Sequence, residues 1–196
     1  YNRVIVVSDS AHGFGSSRHG IMSGSVADFT AFSLHAVKTI TAGEGGIATW
    51  RDMEGLDNEW LYNQYMLYSL HGQTKDALHK NLAGSWEYDI VIPGYKCNMT
   101  DIQASIALVQ LKRFKEIQGR RCDIIKKYDK AMDEMGVGYL HHVNKEFVTS
   151  CHIYLTRVPG IGHRERNEIT RRMAELGVAC NVHFKPLPMM TAYKNM

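Results

Sequence analysis

The sequence predicts an α/β protein in two parts: a first part with a mostly parallel sheet and helices, then a small α+β unit. Three observations carry this expectation. Val4 to Val7 is a continuous apolar run, the pattern of a strand buried on both faces by covering helices. A long helical pattern runs from Thr100 to about Met135 and divides the chain. Beyond it the periodicities read strand, strand, helix, strand, the order of a separate α+β unit. The boundaries expected from this are 1–99 for the first part, 100–136 for the connecting helix and 137–196 for the small unit.

Each element follows in turn. Asp9 stands just past the first apolar run, at the strand end where open α/β sheets bind ligands. A Gly- and Ser-rich connection runs from Gly13 to Ser25, and Asp28 to Ser33 reads as the next strand. Leu34 to Gly46 is irregular and closes on GEGG, a turn with positions that tolerate positive φ. Ile47 to Trp50 reads as a strand, and Met53 to Leu70 as a helix with Leu56, Trp60, Asn63 and Leu67 on one stripe. His71 to Pro93 is polar and reads as a long loop. Thr100 and Gln103 form a capping box ahead of Ile102, Ile106 and Val109, and Gly119 is the expected point of interruption. Gly136 and Gly138 close the run. Val137 to His142, Cys151 to Val158 and Val178 to Phe184 read as strands. Arg164 to Leu176 reads as a helix with Ile169, Met173 and Leu176 inward.

Composition narrows the function classes. The 196 residues are 44% hydrophobic and 22% charged, which suits a globular chain with a core. A net charge of +3 without a basic run interleaved with aromatics gives no case for a nucleic-acid partner. No apolar stretch approaches the ~20 residues that span a bilayer, so no membrane partner is expected. Cys97, Cys122, Cys151 and Cys180 are scattered, which suits reduced thiols and a cytoplasmic location. Neither they nor the histidines stand at metal-ligand spacing, so no metal site is expected.

Four residues draw attention on chemistry. Lys38 lies just after a strand and before a glycine turn. Partial burial lowers a lysine pKa and yields a neutral amine able to form a Schiff base with a carbonyl. Spacing alone leaves an ordinary loop lysine as the commoner reading. Asp9 at a buried strand end needs a partner, and a protonated ring nitrogen is one such partner. A helix N-cap or a structural ion pair is the plainer alternative. Ser33, five residues before Lys38, could hold a phosphate oxygen. His12 follows Asp9 by three residues and either faces the same pocket or lies in a loop. His35 reads as a core histidine, with a ligand contact as the alternative. His183 and Lys185 read as surface residues at a strand end, with substrate contact as the alternative.

Taken together, VSDSAHGFGSS, FTAFSLHAVKTITAGEGG and PGYKCNMTDIQASIALVQLKRF resemble, in order, signatures of the DegT/DnrJ family of sugar aminotransferases. HIYLTRV and ELGVACNVHFKPL resemble the family's small-domain pattern. The resemblance implies the latter part of a fold-type-I large domain followed by a small α+β domain. It also implies pyridoxal 5′-phosphate as cofactor. Lys38 then matches the Schiff-base lysine that shuttles the proton, and Asp9 the partner of the pyridine nitrogen. His12 matches a position beside the cofactor's phenolic oxygen, and Ser33 the hydroxyl on its phosphate. In the family a GYN turn reaches the neighbouring subunit's phosphate, so a homodimer with a shared site is implied. Here the turn reads Gly94-Tyr95-Lys96, which leaves Lys96 to meet the phosphate as a point charge. Asn98 stands where many members carry Arg.

The implied reaction is transamination of a keto-sugar nucleotide, with glutamate as donor, in amino-sugar or surface polysaccharide biosynthesis. A lysine, where some relatives carry histidine and act as dehydratases, argues for amino transfer. The alternative is a regulatory protein that keeps the fold without catalysis, and the intact set of Asp9, Ser33 and Lys38 speaks against it. Family members are about twice this long, so the chain reads as a fragment lacking the N-terminal part and the extreme C-terminus. It is expected to bind the cofactor poorly and to be inactive alone.

Overall fold

A computed structural model describes residues 3–74, 84 and 87–194. In chain order its strands and helices are β1 (Val7–Asp9), β2 (Ser17–Arg18), β3 (Ile21–Met22), β4 (Phe29–Ser33), β5 (Gly46–Trp50), α1 (Asn58–Ser69), α2 (Asp101–Lys112), α3 (Phe114–Met135), β6 (Gly138–Tyr139), β7 (Phe147–Val148), β8 (Thr156–Arg157) and α4 (His163–Glu175). The chain is mixed α/β. One sheet has the order β1-β4-β5, a second β3-β2-β7, and a third pairs β6 with β8. β1 and β4 run parallel with Asp9 opposite Ala31, and β5 closes antiparallel on β4 with Gly46 opposite Ser33. The second sheet joins distant parts of the chain, since Ser17 and Arg18 pair with Val148 and Phe147.

The β1 expectation needs correction. The strand starts at Val7, and Val4, Val6 and Val7 are 82%, 54% and 70% exposed. Its only strand neighbour among the described residues is β4, so its far edge and faces are open. Asp9 is accordingly exposed, and burial cannot be what calls for a partner there. β4 and β5 fall where the sequence places them.

The core sits beside the loop that follows β4. Leu34, Ile40 and Ala42 are buried together, packed by Phe14, Ile47, Met99, Ala107 and Phe114. Leu34 winds this loop around itself: its N–H donates to the Gly45 carbonyl (2.8 Å), and its carbonyl accepts from Ala42 N (2.9 Å) and Thr41 Oγ1 (3.2 Å). Phe14 meets Phe32 and Phe114 edge-on at 5.4 and 5.3 Å. Gly15 between them has φ +86°, and a Cβ there would stand 2.3 Å from the Phe114 ring. Only glycine meets both demands.

The helices start where capping chemistry is available. Asp57 caps α1, its carboxylate accepting from Trp60 N at 2.7 Å, so the helix begins later than the sequence suggests. Its buried residue is Leu61, whereas Trp60 of the expected stripe is 52% exposed. The Thr100–Gln103 capping box is formed. The long pattern breaks at Arg113 rather than Gly119, immediately before Phe114 turns into the core. Gly119 stays helical and open to its surroundings. Gly136, at φ +66°, ends α3.

The last third is less regular than expected. Of 137–142 only Gly138–Tyr139 is strand, and of 151–158 only Thr156–Arg157. Cys151 has φ +53°, which interrupts an extended run at its first residue. No strand forms over 178–184, where Val178, Val182 and Phe184 are exposed and find no pairing edge among the described residues. α4 forms as read, but Ile169 and Leu176 are 41% and 79% exposed, so its apolar face is not covered by the described residues. β7 escaped the sequence reading. Much of the loop expected over 71–93 lies outside the described residues.

An acidic residue ties the first sheet together. Asp28, 1% exposed, takes Arg3 bidentately (2.7 and 2.8 Å), Arg51 (2.8 Å) and the Val6 N–H (2.8 Å). The Arg3 hydrogen bonds first, and the Val6 N–H next, hold its carboxyl well below the usual carboxylate range. A depressed folded value contributes stability above the unfolded value of about 3.9 and loses it as pH falls toward the folded one. The urea midpoint is therefore expected to hold from neutral pH down to about 5 and fall below about 4. Asp28→Asn should lower the midpoint at neutral pH and flatten its decline below 4. An unchanged acid slope in that variant would assign the sensitivity to other carboxylates.

Candidate functional site

The site gathers at the carboxyl ends of β1 and β4. Because Ala31 faces Asp9, Ser33 lies two residues further along the same parallel direction. Asp9 caps its own turn, with Oδ1 accepting from Ala11 N at 3.0 Å. The Ser33 hydroxyl oxygen accepts from His35 N at 3.2 Å, which leaves its proton to donate elsewhere. Lys38 follows in a tight turn, its N–H donating to the His35 carbonyl at 2.9 Å. The turn is anchored by buried Leu34 on one side and buried Thr39 and Ile40 on the other. The half-buried Lys38 side chain forms no hydrogen bond or ion pair among the described residues.

His12 shows which groups share one neighbourhood. Its pKa is lowered, first by burial, then by the charges of Lys38 and His183, with Asp9 acting in the opposite direction. Asp9, His12 and Lys38 are therefore brought together. His183 joins them despite being exposed, and despite the absence of the strand expected to carry it. Ser33 stands at the same sheet end. Lys96 is exposed, and its ammonium donates to Asn98 Oδ1. His35 is not a core residue. Its side chain is 46% exposed and lies 3.6 Å from Glu44.

Two residues that sequence reasoning did not single out complete the group. His152 meets His12 edge-on at 4.7 Å between ring centroids. Its pKa is pushed down to about 4, chiefly by burial and then by the charges of His12 and Lys38. Its Nδ1 is buried and has no hydrogen-bond partner among the described residues. Ser150 donates its hydroxyl to the His12 carbonyl. The segment that ends β7 therefore supports the loop that ends β1. HIYLTRV carried the signal for His152, but its strand-like alternation drew attention to the apolar positions instead.

The donor set is an amine, a carboxylate, a hydroxyl and neutral imidazoles at one sheet end. It suits a ligand with an aldehyde, a cationic ring nitrogen and a phosphate. Lys38, unpaired among the described residues, and Asp9, with an oxygen bonded only to its own turn, fit pyridoxal phosphate.

Comparison with known proteins agrees. The family model described as the DegT/DnrJ/EryC1/StrS aminotransferase family matches residues 2–196. The spore coat polysaccharide biosynthesis protein SpsC of Bacillus subtilis is 34% identical over 194 residues, covering 97% of the chain and 48% of SpsC. Among solved structures, Spr1654 of Streptococcus pneumoniae in its PMP form superposes with a TM-score of 0.93 at 53% identity, over all of the chain and 49% of Spr1654. Helicobacter pylori PseC, an aminotransferase involved in the biosynthesis of pseudoaminic acid, gives 0.79 at 26% identity, over 97% of the chain and 47% of PseC. The fold is thus that of the sugar aminotransferases, in a chain spanning about half the length of the relatives it matches. The chain belongs to the DegT/DnrJ/EryC1/StrS aminotransferase family.

Proposed function

We propose that this chain is part of a pyridoxal-phosphate-dependent enzyme that moves the amino group of glutamate to a keto-sugar nucleotide, in amino-sugar or surface polysaccharide biosynthesis. The observation that carries the reading is that Asp9 and Lys38 both stand near enough to His12 to act on its charge, in opposite directions. Similarity to SpsC and PseC supports the sugar class.

The cofactor, when bound, supplies an aldehyde for amines and a ring that takes up an electron pair from the substrate carbon. The chain's own groups do the rest. Lys38 Nζ would hold the cofactor's aldehyde, and its free amine would be the base that takes the proton from the donor's α-carbon. The Asp9 carboxylate favours a protonated ring nitrogen by its charge. The Ser33 hydroxyl, already accepting from His35 N, donates its proton to a phosphate oxygen. His12, kept neutral mainly by burial, offers one N–H beside Lys38 without adding a second cation. Lys96, exposed and bonded to Asn98, serves the partner subunit's phosphate in a homodimer. The first 99 residues belong to the cofactor domain, 100–136 to the helical connector and 137–196 to the small domain. Scattered free cysteines suit a cytoplasmic location, and no described helix is long and apolar enough to cross a membrane.

The 196-residue chain alone is expected to give little cofactor absorbance. The test uses the complete enzyme. Incubated with glutamate, it should release 2-oxoglutarate, and a panel of keto-sugar nucleotides should then yield an aminated sugar by mass spectrometry. No 2-oxoglutarate would indicate a non-catalytic relative. Amination of free keto acids alone would move the enzyme out of the sugar class.

A further inference from the structure

The fold brings two thiols into contact on the side of the site that supports His12. Cys122 lies on α3, Cys151 on the segment between β7 and β8, and their sulfurs are 3.2 Å apart. Both are free, as are the exposed Cys97 and Cys180. One bond ties the segment to α3 and a second fixes its own local turn. Gln118 Nε2 on α3 donates to the Thr149 carbonyl at 3.1 Å, and Cys151 N donates to Thr149 Oγ1 at 3.1 Å. We propose that Cys122 and Cys151 are an oxidation site that takes a small hydroperoxide and closes to an intramolecular disulfide behind His12. This inference does not rest on the cofactor reading.

The order of the steps follows from burial. Cys151 is 4% exposed, and its thiol is pushed up to about 12, chiefly by that burial and then by Cys122. It stays protonated and cannot be the first nucleophile. Cys122, half-buried, meets the oxidant. Its thiolate sulfur attacks one peroxide oxygen and the O–O bond breaks. The sulfur becomes a sulfenic acid, and the other oxygen leaves as alcohol or water. The Cys151 sulfur then attacks the Cys122 sulfur and the S–O bond breaks. The departing hydroxide leaves as water with the Cys151 proton. In sum, two thiols and one hydroperoxide give one disulfide, one alcohol and one water. The sulfurs must close to about 2.05 Å, a shift of about 1.2 Å that side-chain rotation and the loop share. In a reducing compartment the bond is transient.

The probe is hydrogen peroxide, applied to the native chain with Cys97 and Cys180 changed to serine. Peptide mapping after thiol blocking should give a Cys122–Cys151 cross-link that has lost two hydrogens. Cys151→Ser should leave Cys122 as a sulfenic acid trapped by dimedone. Cys122→Ser should leave Cys151 a free thiol, with its oxidation slowed at least about tenfold, as expected of a buried protonated sulfur. Cys151 oxidised at the original rate in Cys122→Ser would overturn the proposal. So would a cross-link forming equally fast in urea-unfolded chain, since the folded geometry would then be irrelevant. The half-buried Cys122 variant keeps the test open if Cys151→Ser fails to fold.

Discussion

Replacing Lys38 with alanine is expected to lower amine transfer by the complete enzyme by about 10²- to 10⁴-fold, the range typical of a lost general base. The fold should survive the change. The turn at Lys38 is made by its backbone N–H, and its side chain forms no hydrogen bond among the described residues. Loss of rate without loss of stability separates a chemical role from a structural one. Lys38→Arg sharpens the test, because a guanidinium keeps the positive charge but is never neutral at working pH. If charge alone mattered, arginine would restore activity. If a neutral amine is needed, arginine should be as inactive as alanine. Single-turnover formation of 2-oxoglutarate from glutamate measures this. A variant retaining more than about a tenth of the original rate would remove Lys38 from the chemistry.

Leu34→Ala is expected to cost about 2–5 kcal/mol of folding stability, a large share of the ~5–15 kcal/mol of an ordinary domain. Leu34 is 0% exposed, at the centre of the cluster with Ile40 and Ala42. Alanine keeps all its backbone hydrogen bonds, so the effect reports side-chain packing alone. Lys38 sits four residues on, in the loop wound around that side chain, so loosening the cluster should loosen the amine. Urea unfolding should show a lower midpoint with an unchanged slope. A loss under about 1 kcal/mol would mean that Phe14, Met99 and Phe114 collapse into the space.

What the sequence disclosed follows from how local each signal is. The Thr100 capping box, Gly136 and the strands around Lys38 depend on neighbours in sequence, and they stand where expected. Asp9, His12, Ser33 and Lys38 could be proposed as one site because their residue types stand in order along two short stretches. Long-range facts were not legible. Arg113 breaks the helix because Phe114 packs on Phe14, a partner a hundred residues away in sequence. His152 reaches His12 only through the fold. Burial misled in both directions. An apolar run does not tell whether anything covers Val4 to Val7, and a histidine beside a buried leucine can itself lie half exposed.

The pairing of Ser17–Arg18 with Phe147–Val148, together with the Ser150 bond to the His12 carbonyl, has a consequence for how the protein is made. These contacts close a loop of more than a hundred residues, the kind that forms slowly and late. A ribosome synthesises the Lys38 turn more than a hundred residues before residue 152, and until then the histidine beside it lacks its support. Newly made chains should therefore assemble the group around Lys38 at the end of folding, after the helices are in place.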